Sequence, residues 1–233
     1  MKLQTLVTAA VLLSMGMLPA GANPVALEDP DTGASSGWKV QWTADGPVQE
    51  VRTVEVDRDA STVTIWIEKD FGPYWWEDDE IVFPIGALSF TPDPGSGESP
   101  VSTVILQGET IENHTGAAWQ SFEWAIMLST SAQFSIGDSG GWDVQPFTET
   151  AWYAPGGGPA QADTANNLVA RAGEVPTGTT FQPTGDLVIE VTEEGQQNGF
   201  GIKQIIFPEP TSLAALTAML GVLLARRRRR IAE

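Results

Sequence analysis

The stretch STVTIWIE, residues 61–68, decides the fold class. Val63, Ile65 and Ile67 alternate with Thr64, Trp66 and Glu68. A period of two built from β-branched and aromatic residues suits a pleated strand with one buried face, and no helix places its apolar residues that way. The same alternation recurs on both sides. WKVQW puts Trp38, Val40 and Trp42 on one face, and TVEV does the same for Val54 and Val56. EIVFPI offers Ile81, Phe83 and Ile85, with Pro84 marking an edge or a bulge. VSTVILQ follows the turn-rich PDPGSGESP. SFEWAIML aligns Phe122, Trp124, Ile126 and Leu128; DLVIEVT aligns Leu187, Ile189 and Val191; FGIKQII aligns Phe200, Ile202, Gln204 and Ile206.

Short strands separated by turn residues predict an all-β fold, a β-sandwich of jelly-roll-like kind, over residues 38–207. Residues 23–37, rich in Asp, Pro, Ser and Gly, read as a flexible leader. AQADTANNLVARAG, residues 160–173, reads as a short helix or a loop. It lies within a Gly-, Pro- and Thr-rich excursion between strands, residues 153–185.

Both ends differ from this middle. Lys2 precedes an apolar run from Leu6 to Leu18, which ends in Ala20-Gly21-Ala22. That order of charge, apolar core and small residues is a signal peptide over residues 1–22, with cleavage after Ala22 leaving Asn23 first. The run is too short for an ordinary membrane span. At the other end, PEP is followed by TSLAALTAMLGVLLA, residues 211–225, and then by Arg226, Arg227, Arg228, Arg229 and Arg230. Fifteen helical residues rise about 22 Å, short of the hydrocarbon core of about 30 Å. Snorkelling arginines and local thinning make a marginal transmembrane helix. The arginines hold that end in the cytoplasm, so the β domain lies outside.

Between the two ends the balance is strongly acidic. Residues 23–207 carry 28 acidic and six basic residues, a net charge of −22, against −18 for the whole chain. Such a surface repels nucleic acid and anionic lipid. The chain contains no cysteine, which excludes disulfides, Cys nucleophiles and Cys-ligated metals.

Pro208, Glu209 and Pro210, then an apolar helix, then an arginine cluster together resemble the PEP-CTERM sorting signal, here over residues 208–233. The resemblance implies an exported substrate of an exosortase, a membrane protease that would process the chain near Pro208-Glu209-Pro210. It implies placement at the cell surface or in an exopolysaccharide matrix, with transient anchoring in the inner membrane after signal peptidase has acted. GETIENHTGAAWQSFEWAIML, residues 108–128, and FGIKQIIFPEP, residues 200–210, are similar to segments of such exported proteins. Members of this group are mostly without an assigned activity.

The domain itself shows no catalytic constellation. His114 is the only histidine, and no G-x-S-x-G motif accompanies it. Asn113-His114-Thr115 matches a glycosylation sequon and reads as a turn. Glu77, Asp78, Asp79 and Glu80, or Glu123, or Glu190, could supply paired carboxylates for glycoside hydrolysis. With so many acids, spacing alone selects none of them. In FGPYWWEDDE, residues 71–80, Tyr74, Trp75 and Trp76 could stack on sugar rings, although packing of Trp75 or Trp76 on the sandwich, with the acids solvated, is the favoured reading. Its acids match no EF-hand spacing. The expectation is therefore an exported surface or matrix protein with a structural or interaction role, no catalysis, no cofactor and no metal. A carbohydrate-binding module for exopolysaccharide is the alternative, with a secreted carbohydrate-active enzyme behind it.

Overall fold

The computed structural model describes residues 23–42, 48–73, 75–77, 80–82, 86–128, 130–160 and 163–208. In chain order the elements are β1 (Val25–Glu28), β2 (Ser35–Trp42), β3 (Val48–Asp57), β4 (Thr62–Phe71), β5 (Trp75–Glu77), β6 (Glu80–Val82), β7 (Gly86–Pro92) and β8 (Thr103–Asn113). There follow β9 (Trp119–Ile126), β10 (Ala132–Ser135), β11 (Glu149–Tyr153), β12 (Thr164–Ala165), β13 (Asn167–Val175), β14 (Thr180–Phe181) and β15 (Thr184–Val191). The short helix α1 (Glu193–Asn198) and β16 (Phe200–Pro208) close the series.

Two sheets result, so the fold is all-β. One has the order β1-β2-β7-β16-β9-β13-β11. The other runs β12-β10-β15-β8-β4-β3, with β14 also on β8. β5 and β6 form a ribbon apart from both. Every pairing is antiparallel except β4 with β8, which is parallel. A parallel pair needs a crossover, and here the chain makes it through β5, β6 and β7. Among the described residues no helix is long and apolar enough to cross a membrane, and residues 209–233 lie outside them.

The period of two is realised in burial. β4 alternates strictly, with Val63, Ile65, Ile67 and Phe71 fully buried. They face Trp38, Val40, Phe122, Trp124 and Ile202 of the other sheet in one core. At its centre Phe122 lies 4.6 Å from Trp124, 5.4 Å from Phe181 and 6.1 Å from Phe71 between ring centroids. Such aromatic contacts add to what area burial alone provides.

Several expectations give way here. The leader expected over residues 23–37 contains β1, paired with β2, and its Leu27 is fully buried. One apolar side chain flanked by turn residues shows no period, which is why composition misplaced it. Among the described residues of 160–173 there is no helix: β12 and β13 lie there, with Leu168 and Ala170 buried on alternate positions. About half of the supposed excursion over residues 153–185 is strand, and β13 pairs with both β9 and β11. β9 ends at Ile126, and Leu128, expected on its buried face, is 54 % exposed.

Replacing Phe122 by alanine is expected to cost about 3–5 kcal/mol, since it empties the centre of the core. Leu128→Ala should stay within about 0.5 kcal/mol. Urea unfolding of the two variants measures both; equal losses would place the core elsewhere.

Candidate functional site

Four polar side chains meet where the two sheets press together. β4 carries Lys69 on the same face as Val63, Ile65 and Ile67, so the strand's period delivers an ammonium group into the core. The neighbouring β8 delivers Glu109 by a different device. The β4–β8 register runs from Ile65↔Leu106 to Ile67↔Glu109, so β8 holds one extra residue between these pairs. This β-bulge shifts the phase of β8 and turns Glu109 inward. Gly108 makes it feasible: its φ is +133°, and a Cβ there would come within 2.7 Å of the Trp66 ring on the outer face. From the opposite sheet β16 presents Gln204, flanked by Trp124 of β9 and Gly86 of β7 in register.

Every polar atom in the cluster has a partner. Lys69 Nζ donates to Glu109 Oε1 and to Gln204 Oε1. Gln204 Nε2 donates to both Glu109 oxygens, at 2.7 and 2.8 Å. Trp124 Nε1 donates to Glu109 Oε2 at 2.7 Å. Lys69, Glu109 and Gln204 are effectively shut off from water. Burial pushes the Lys69 ammonium well below the ordinary lysine range, and the Glu109 carboxylate opposes that only in part. The space for Gln204 comes from Gly86, where a Cβ would approach Gln204 Oε1 to 3.3 Å.

A second group lies on the outer face of the same two strands. Asp70 and Glu112 are register partners on β4 and β8, and His114 follows the end of β8. His114 Nδ1 is 2.7 Å from Asp70 Oδ1 and 3.7 Å from Glu112 Oε2. The three donor atoms lie within 4.8 Å of one another, a spacing that can receive a divalent ion, on side chains that are about half exposed. Glu50, Glu68, Asp70, Thr110 and Glu112 border an adjoining depression of about 150 Å³. Arg52 crosses part of it, with salt bridges to Glu50 at 3.0 Å and Glu68 at 2.7 Å.

The Asn113-His114-Thr115 turn is built from within. Asn113 is buried; its Nδ2 donates to Ala117 O and Val175 O, both at 2.9 Å, and its Oδ1 accepts from Thr115 N and Oγ1. That amide is not presented to a glycosylating enzyme. Trp119 Nε1 donates to Thr115 Oγ1 at 3.0 Å, which ties the turn to β9.

The other sequence candidates are dispersed. Glu123 points from the outer face of β9, where Asn167 Nδ2 donates to it at 2.6 Å; Glu190 is on the outer face of β15, bonded by Gln133. They stand on different sheets and cannot flank one scissile bond. Trp75 and Trp76 belong to the β5–β6 ribbon, in register with Val82 and Ile81, and Glu77 pairs with Glu80. Tyr74, Asp78 and Asp79 lie outside the described residues, as do Ala20, Ala22, Glu209, Pro210 and Arg226 to Arg230. Asn23 begins the described chain, and Pro208 ends β16 opposite Trp119. Comparison with protein-family models, with curated proteins and with solved structures finds no match for this chain.

Sequence reasoning placed Gln204 on the inward face of its strand and missed its two charged partners. Extending the alternation of 63, 65 and 67 by one step would have found Lys69. Nothing but the glycine at 108 marks the phase change that brings in Glu109.

Two measurements follow from these environments. Glu109→Leu leaves Lys69 buried without its counter-charge and is expected to cost about 3–5 kcal/mol in urea unfolding; a loss below about 1 kcal/mol would mean the ammonium reaches water. Partial burial raises the Glu123 carboxyl above its ordinary value, and the Asn167 hydrogen bond offsets only part of this. The folded state thus holds that proton more tightly than the unfolded chain does. Its contribution is full below the unfolded value of about 4.3 and is lost as pH rises through the folded one. Glu123→Gln should therefore gain stability over wild type across that window; a wild-type-minus-variant difference flat with pH would contradict it.

Proposed function

We propose that this chain is an exported β-sandwich protein of the cell envelope or extracellular matrix, with a structural or interaction role and no catalysis. The observation that carries the reading is the three-part tail, Pro208-Glu209-Pro210, an apolar run and five arginines, which continues directly from the final strand β16. The N-terminal signal-peptide pattern and the net charge of −22 over residues 23–207 support the same reading. The finer topology is read as jelly-roll-like, modified by the parallel β4–β8 pair. On this reading the tail is a substrate for an exosortase-like membrane protease, and signal peptidase removes residues 1–22. The inner membrane holds the chain only until processing.

Deleting residues 209–233 spares β16 and tests the reading in the native host. The truncated protein is expected in the soluble or released fraction, while the full chain passes through a membrane-bound precursor of higher mass. Membrane association and a mature mass both unaffected by the deletion would overturn it.

A further inference from the structure

We propose that Lys69 and Gln204 become joined by an amide bond that the folded domain makes for itself, with Glu109 as the group that moves the proton. The inference starts from the composition of the buried cluster. An amine, a carboxamide and a carboxylate sit in mutual contact in a site closed to water, and no other polar group competes for the amine. They come from three strands: Lys69 and Glu109 from one sheet, Gln204 from the other. The carboxamide is held in one orientation. Its oxygen faces Lys69 and its nitrogen faces both oxygens of Glu109. The Trp124 indole fixes Glu109 from the far side.

A buried salt bridge is a poor explanation for keeping these residues. Two charges taken from water gain little over well-packed apolar side chains of the same volume, and often lose. The same desolvation that makes the pair expensive also makes it reactive. Proton transfer from Lys69 Nζ to Glu109 Oε1 neutralises both groups where charge is disfavoured, and a desolvated neutral lysine is a nucleophile. Nζ already touches the carboxamide through its oxygen, so attack on Cδ asks it to move from one atom of that group to the next. Groups held in such proximity react with effective molarities of about 10⁵–10⁸ M, while water that could hydrolyse the product is excluded.

The step balances without a co-reactant. Lys69 Nζ forms a bond to Gln204 Cδ, and the Cδ–Nε2 bond breaks. Glu109, having taken one proton from Nζ, gives it to Nε2 and takes a second from Nζ. Nε2 leaves as ammonia, and Glu109 keeps the second proton. The product is a secondary amide whose nitrogen, the former Lys69 Nζ, remains beside Glu109. It would link strands β4 and β16 across the sandwich in a chain that has no cysteine to do so.

The full-length protein, purified, unfolded in denaturant and digested, is analysed by tandem mass spectrometry. The expected result is a branched peptide that unites the segments around Lys69 and Gln204 and is lighter than their sum by one ammonia. Glu109→Gln preserves shape but sets an NH2 donor among the donors of Lys69, Gln204 and Trp124; it should lower stability yet keep the β circular-dichroism spectrum while the branched peptide falls at least tenfold. Linear peptides with a free Lys69 amine and an intact Gln204 in the wild type would overturn the proposal. A bridge from Lys69 to Glu109, recognised by loss of water instead of ammonia, would overturn it as well. A branched peptide as abundant in Glu109→Gln as in wild type would remove Glu109 from the chemistry and overturn the mechanism.

Discussion

Lys69 and Glu109 are held in the seam between two sheets, and much of the surrounding structure is arranged so that they can stay there. An ammonium and a carboxylate moved from water into a protein interior each carry a penalty of several kcal/mol, which their mutual attraction offsets only when every remaining hydrogen-bonding site is also filled. The chain meets that condition with residues drawn from both sheets. Gln204 reaches across to bond both charged groups, and the Trp124 indole takes the carboxylate oxygen that Lys69 does not. Gly86 lacks the side chain that would crowd Gln204, and Gly108 permits the bulge that aims Glu109 inward. Loss of any one of them leaves a buried polar atom without a partner, so the packing of the centre and its electrostatics are a single constraint.

The legible part of this molecule follows from how each strand buries its residues. β4, β9, β15 and β16 each set large apolar side chains at every second position, and their alternation could be read directly. β13 carries Leu168 and Ala170 among Asn, Arg and Gly, too little bulk to show a period. β1 has one core residue, Leu27. β13 is a strand because neighbours on both sides offer hydrogen bonds, and β1 because β2 does, tertiary reasons that no local window contains. The buried cluster was half legible for the same reason. Gln204 lies in an unbroken alternation, whereas Glu109 lies beyond a bulge, and a one-residue insertion reverses every inference about facing that follows it.

The outer surfaces show a different balance. Four of the basic residues between 23 and 207 are engaged at the surface: Lys39 with Asp93, Arg52 with Glu50 and Glu68, Arg58 with Glu98, and Arg171 with Glu149. The exposed pairs among these contribute little to stability, since water screens them. Lys39 with Asp93 does more for geometry: the buried Asp93 carboxylate also accepts from Gly95 N, and the turn after β7 closes around it. The Lys39 hydrogen bond holds that carboxyl below its ordinary range. With so few cations already committed, most acids among the described residues have no basic partner. The resulting field favours cations and hydration and disfavours close approach of other anions.

β16 lies in the middle of its sheet, hydrogen-bonded to β7 along one side and to β9 along the other. A strand at a sheet edge, pulled from its end, peels away one hydrogen bond at a time. Tension entering at Pro208 along the axis of β16 instead loads two ladders in shear, and the bonds from Phe200 to Pro208 must yield together. A pull applied at that end is resisted far better than the equilibrium stability of the fold alone would suggest.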